Sequence, residues 1–136
     1  MKCQSGKVQV LVSRIRILLA DDNDEVLAEA REELKKDCEI VGAVTNGRDA
    51  VEAARLFDPD VIVLDMPMPI LNGIEASSQI CTLNARAKIL FLTIQENDEY
   101  ISAAFAAGAS GYVTKRRLLK DLAYAVREVA EGHTFV

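Results

Sequence analysis

Cysteine is scarce: Cys3, Cys38 and Cys81 are an odd number at wide spacings. That is neither a disulfide framework nor a zinc pattern, and it suits reduced thiols in the cytoplasm. Positive charge is scarce as well, the formal net charge being -5. Nucleic-acid surfaces need clustered Lys and Arg, and the Lys115-Arg116-Arg117 run is too small a patch, which argues against direct nucleic-acid binding. Long apolar runs are missing too. The stretch Val8 to Ala20 is broken by Arg14 and Arg16, so it is neither a membrane span nor a convincing signal peptide. Internal repeats, low-complexity tracts and linkers are absent, and 136 residues make about one domain.

What is present is a regular alternation of short apolar runs and helical patterns. Strands are predicted at Ile15–Ala20, Glu39–Val44, Val61–Leu64, Ile89–Leu92 and Gly111–Val113. The first intervening helix carries Val26, Leu27, Ala30 and Leu34 on one face. The second runs through Ala50, Val51, Ala54 and Phe57 until Asp58-Pro59 stops it. A third starts near Asn72-Gly73 and carries Ile74, Ser77, Ile80 and Cys81. Residues 98–107 are alanine-rich, with Tyr100, Ile101 and Phe105 as the larger anchors. The last helix repeats Leu118, Leu119, Leu122, Ala125, Val126 and Val129. Successive β-α units imply an α/β fold: a doubly wound, five-stranded parallel sheet with helices on both faces. Its expected order is 2-1-3-4-5, the flavodoxin-like (βα)5 arrangement. Residues 1–13 stand outside the pattern, as an extension either disordered or partly alternating through Val8, Val10 and Val12.

In a parallel sheet all strand carboxyl ends share one edge. Asp21-Asp22 follow the first strand, Asp65 the third, Thr93 the fourth and Thr114-Lys115 the fifth. Each has a bland reading. Asp21 or Asp22 would serve as a helix cap, although Asn23 and Asp24 would do so equally well. Thr93 is a good β-former, Lys115 an ordinary surface lysine, and Asp65 a turn residue before a proline. Their coincidence at one edge favours a site, where open α/β sheets bind ligands. Crowded carboxylates without His or Cys select a hard cation, Mg²⁺ above all. A cation, an ammonium and a hydroxyl together hold the oxygens of a transferring phosphoryl group. One carboxylate is then free to act as nucleophile, and Asp65, on a rigid central strand, is best placed.

The segments L-L-A-D-D-N, P-D-V-I-V-L-D-M-P-M-P-I-L-N-G, I-L-F-L-T and A-G-A-S-G-Y-V-T-K closely resemble the receiver (CheY-like) domain of two-component response regulators. The resemblance covers residues 14–132, and its later motifs are similar to the NarL/FixJ subfamily, whose receivers usually precede a helix-turn-helix output domain. Residues 133–136 then read as a tail, the start of a linker to such a domain. The resemblance implies that Asp65 is the phosphoacceptor, served by a sensor histidine kinase. It implies that Asp22, Asp65 and the backbone carbonyl of Pro67 ligate Mg²⁺, with Asp21 acting through water. Thr93 and Lys115 would contact the phosphoryl oxygens, and Thr93 with Tyr112 would form the switch. The expected output is an altered helix 4–strand 5–helix 5 surface, with dimerisation through that face or through helix 5 and helix 1.

Two positions depart from the common receiver pattern. Arg116 stands where proline often follows the lysine, so no X-Pro bond favours a cis peptide there. Pro67 offers no side-chain hydrogen bond to an attacking water, which together with Ile94 predicts slow self-dephosphorylation. The rival reading is a Mg²⁺-dependent aspartyl-phosphate phosphohydrolase. Phosphatases of the haloacid-dehalogenase type carry a second carboxylate where this chain has Pro67, which argues against an enzyme. A flavodoxin-like nucleotide binder would need a Gly/Ser/Thr-rich phosphate loop in place of Asp21-Asp22. A stand-alone receiver and a degenerate one are the remaining alternatives; the intact acidic pair, Asp65, Thr93 and Lys115 count against the latter.

Overall fold

Residues 14–136 are described by a computed structural model; the expectations for residues 1–13 lie outside the described residues. Five strands, β1 (Ile15–Ala20), β2 (Cys38–Val44), β3 (Val61–Leu64), β4 (Lys88–Thr93) and β5 (Ala109–Thr114), form one sheet in the order β2-β1-β3-β4-β5. Every pairing is parallel. The helices are α1 (Asp24–Leu34), α2 (Gly47–Phe57), α3 (Gly73–Leu83), α4 (Asp98–Ala106) and α5 (Leu118–Ala130), the last preceded by a 3₁₀ turn at Lys115–Arg117. The fold is the doubly wound arrangement expected from the alternation of patterns.

Asparagine punctuates these helices. Asn23, Asn46, Asn72 and Asn97 are the N-caps of α1 to α4, and Asn84 is the C-cap of α3. The Asn23 side chain accepts from the Glu25 and Val26 amides, Asn46 from Asp49, and Asn72 from Glu75. Each satisfies donors that the first helical turn leaves open. Because Asn23 caps α1, Asp21 and Asp22 are free for other work. Asp58 ends α2 in the left-handed region at φ 47 before Pro59 blocks continuation.

The strands alternate between two cores. Ile17, Leu19, Val61, Val63, Leu90, Leu92 and Val113 meet α1 and α5. Leu18, Ala20, Ile62, Leu64, Ile89, Phe91 and Tyr112 meet α2, α3 and α4. Both faces are covered, so these runs show no polar alternation.

Three apolar assignments are corrected. Leu119 was expected in the α5 stripe but is 66% exposed, because α5 meets the sheet through Leu118, Leu122, Ala125, Val126 and Val129. Tyr100 and Phe57 are exposed as well. The buried residue of α4 is Ala104, and α2 is buried through Gly47, Ala50 and Ala53. A Cβ added at Gly47 would lie 1.9 Å from the Leu71 carbonyl oxygen, so small residues let α2 approach the β3–α3 loop closely. Among the described residues, no helix is long and apolar enough to cross a membrane.

Candidate functional site

The register of the sheet brings the sequence-distant residues together. Ala20 pairs with Leu64, Leu64 with Phe91, and Thr93 with Thr114, so the chain positions just beyond these strands are neighbours. The Asp65 amide donates to the Ala20 carbonyl at 3.0 Å, fixing the β3 end against the β1 end. Asp21 and Asp65 are each 3% exposed. Lys115 Nζ lies 2.9 Å from Asp65 Oδ2 and 2.9 Å from Asp21 Oδ2, from a half-buried position. Both contacts are ion pairs at the same distance, and that with Asp65 also has full hydrogen-bond geometry. The remaining oxygens are tied to the backbone: Asp65 Oδ1 accepts from the Met66 amide at 2.7 Å, Asp21 Oδ1 from Asn23 at 2.9 Å.

Asp22 is exposed at the lip, and Asp21, Asp22 and Asp65 each offer an oxygen within 4.8 Å of the others. Three carboxylates against one ammonium leave the cluster with a surplus of negative charge. Burial raises the Asp21 pKa above the ordinary carboxylate value, and the Lys115 ammonium only partly offsets it. For Lys115 burial opposes the charge, but the two carboxylates outweigh it and hold its pKa above the usual lysine value. An all-oxygen, anionic donor set fits a hard divalent cation.

Thr93 closes β4 and is fully buried, yet its Oγ1 has no hydrogen-bond partner. Among the described residues Thr114 Oγ1 is the other buried hydroxyl without a hydrogen-bond partner, and it lies at the same edge. Tyr112, on the α2–α3–α4 face of the sheet, is buried. Its hydroxyl donates to the Gln95 carbonyl at 2.8 Å, in the loop that follows Thr93. Burial, with the Asp65 charge behind it, pushes the Tyr112 pKa up to about 12.

The loop after Asp65 is tightly determined. Pro67 is exposed on it, two residues beyond Asp65. Gly73 donates its amide to Met66 O at 2.7 Å, and a Cβ there would sit 1.9 Å from the Asp65 carbonyl oxygen. Only glycine lets α3 begin so close to the acidic residue. Ile70 has φ 72, and Leu71 donates to Pro69 O at 2.7 Å across it, a strained three-residue turn for a β-branched side chain. Beyond the cluster, Arg116 pairs with Glu96 across the lip, and the described residues contain no cis peptide, as expected without proline after Lys115. Sequence reasoning missed Gln95 and Glu96, because neither carries a pattern until the β4–α4 and β5–α5 loops meet.

Comparison with known proteins agrees with this geometry. Residues 17–133 match the response regulator receiver domain family, and the chain belongs to it. It is 40% identical over 100 residues to the chemotaxis protein CheY of Halobacterium salinarum, covering 74% of this chain and 83% of that protein. It is 34% identical over 124 residues to the response regulator UvrY of Escherichia coli, covering 90% of this chain but 57% of UvrY. The chain thus spans little more than half the length of several relatives. A crystal structure of a LuxR-family two-component response regulator from Aurantimonas superposes with a TM-score of 0.86 at 32% identity, covering 91% of this chain and 90% of that one. The protein is a receiver domain of the NarL/FixJ-like response regulators, a signalling class and not a conventional enzyme.

Proposed function

We propose that Asp65 accepts a phosphoryl group from a phosphohistidine of a sensor histidine kinase, or from a small phosphodonor. A carboxylate oxygen of Asp65 forms the new P–O bond as the P–N bond breaks, and the imidazole leaves with the electron pair. The observation that carries this reading is the Lys115 ammonium on Asp65 Oδ2 at the same edge as the buried, unpartnered Thr93 hydroxyl. Lys115 neutralises charge on the transferring group, and Thr93 gains the partner it lacks. Asp22, Asp65 and the Pro67 carbonyl would hold Mg²⁺, with Asp21 acting through water. That ion supplies charge neutralisation between attacking carboxylate and phosphate.

The acyl phosphate adds negative charge and acceptor oxygens at one sheet edge. Thr93 and Lys115 close neighbouring strands, so drawing them inward moves the β4–α4 loop, and Tyr112 is bonded to that loop through Gln95. The α4–β5–α5 surface is the output. It acts through dimerisation, through that face or through α5 with α1, or on an output domain beyond the 133–136 tail, which itself pairs with β5. Residues 14–132 form the receiver unit, residues 1–13 its extension, and the chain works in the cytoplasm.

Intact mass after incubation with Mg²⁺ and acetyl phosphate tests the assignment. The wild type gains one phosphoryl group and Asp65→Asn gains none; equal labelling of both removes Asp65 from the role. Self-dephosphorylation is slow because Pro67 offers no side-chain hydrogen bond to water and Ile94 beside Thr93 is exposed and apolar. A half-life of seconds, measured on the isolated phosphoprotein, would contradict it.

A further inference from the structure

The chain does not simply leave α5. Gly132, at φ 93, closes the helix with a Schellman arrangement, its amide donating to Val129 O at 3.0 Å and the His133 amide to Glu128 O at 2.9 Å. The reversed segment then runs beside β5, the last strand of the sheet. Phe135 N–H donates to Ser110 O at 3.0 Å, and Tyr112 N–H donates to Phe135 O at 2.9 Å, a parallel bridge centred on Gly111. The Phe135 ring is half-buried on the α1–α5 core and stands edge-on to Tyr124, with centroids 5.9 Å apart.

Tyr112 is therefore held at two points. Its backbone is fixed by Phe135, and its hydroxyl by Gln95 in the loop that begins at Thr93. Without residues 134–136 the outer edge of β5 would present free N–H and C=O groups to water at the switch residue itself. We propose that Phe135 is a positioning residue: its pairing with β5 holds Tyr112 ring-inward and biases the β4–α4 loop toward the form that accepts a phosphoryl group. The inference rests on the reading of Asp65 and Tyr112 given above. A strap of this kind changes affinity only so far as the ring-inward form is the one the phosphoryl group prefers.

A double-mutant cycle reads that difference. Phe135→Pro removes both the ring and the N–H given to Ser110, whereas Phe135→Ala removes the ring alone. Beryllofluoride with Mg²⁺ serves as the probe, its dissociation constant followed by ¹⁹F resonance on chains shown to be folded by circular dichroism. Phe135→Pro should bind about three- to tenfold more weakly than wild type, with Phe135→Ala between them, a modest population shift. In a Tyr112→Ala background the same substitution should cost less than about twofold, because the residue it positions is gone. The Tyr112 amide should also exchange at least about tenfold faster in Phe135→Pro, while β1 and β3 amides keep their protection. An unchanged affinity, an equal loss in both backgrounds, or an unchanged Tyr112 amide would overturn the proposal while leaving Asp65 intact. No beryllofluoride uptake by the wild type would instead remove the Asp65 reading, and the positioning role with it.

Discussion

The two ends of the sheet handle polar groups in opposite ways. At the amino edge, Asp60 Oδ2 accepts from the Arg16 amide at 2.8 Å, the Asp60 amide donates back to Arg16 O, and the Arg16 guanidinium donates to Asp58 O. Asn84 donates to Asp58 Oδ1 in the same cluster, and all of it faces water. At the carboxyl edge Asp21, Asp65 and Thr93 are buried, and the Thr93 and Thr114 hydroxyls lack hydrogen-bond partners. The strands are the same; what differs is whether loops close over their ends. An unsatisfied buried polar atom costs about 1–3 kcal/mol, and the Thr93 and Thr114 hydroxyls are in that position here.

Substitutions that break this contrast should do so in graded steps. Lys115→Ala leaves two buried carboxylates facing each other, and breaking a buried pair in this way costs about 3–5 kcal/mol. Urea unfolding at neutral pH should show that loss, against no more than about 1 kcal/mol for Arg16→Ala at the exposed edge. Similar losses for both would mean that the carboxyl edge is as wet as the amino edge.

Asp21→Asn should act in the opposite direction, stabilising the metal-free chain by roughly 0.5–2 kcal/mol at pH 7. Burial raises the Asp21 pKa, so the folded chain holds this proton more tightly than the unfolded one. The stability tied to the protonated form is present below the ordinary carboxylate value and lost as pH rises through the raised one. The Asn variant lacks that decline, which thermal melts from acid to neutral pH would show. A lower melting temperature for the variant would sink this account.

The smallest effect is expected for Thr93→Val, which replaces an unpartnered buried hydroxyl by a methyl group. The resting chain should gain about 1 kcal/mol. The shift of the Tyr112 amide resonance on adding beryllofluoride should shrink, since the hydroxyl proposed to contact the phosphoryl group is gone. A destabilised variant would mean that the Thr93 hydroxyl has a partner after all.

Much of the fold was legible because its signals are local. Apolar runs marked all five strands, and Asp58-Pro59 and Asn72-Gly73 marked helix ends. Strand limits were less legible: Lys88, Thr93, Ala109 and Thr114 join the sheet through cross-strand pairing, which no single run reveals. Leu119 and Tyr100 misled because both have helical spacing, while the strip of helix that meets a sheet depends on how that helix is rotated against it. Asp21, Asp22, Asp65, Thr93 and Lys115 were legible as candidates by position after strands, whereas Pro67 and Tyr112 came from the family resemblance. Phe135 was not legible, since one aromatic three residues beyond Gly132 has no periodicity to read.

The sequence by itself determined the alternation of elements, the asparagine caps, the glycines at close approaches and the placement of carboxylates, hydroxyl and lysine at strand ends. These are properties of short segments, fixed by side-chain volume, backbone freedom and local hydrogen bonding. Only the tertiary structure decided that Lys115 lies 2.9 Å from both Asp21 and Asp65, that the Thr93 hydroxyl is buried without a partner, and that Phe135 returns to grip Tyr112. Those contacts join residues far apart in the chain, and their distances follow from strand register and loop closure, which no local stretch encodes.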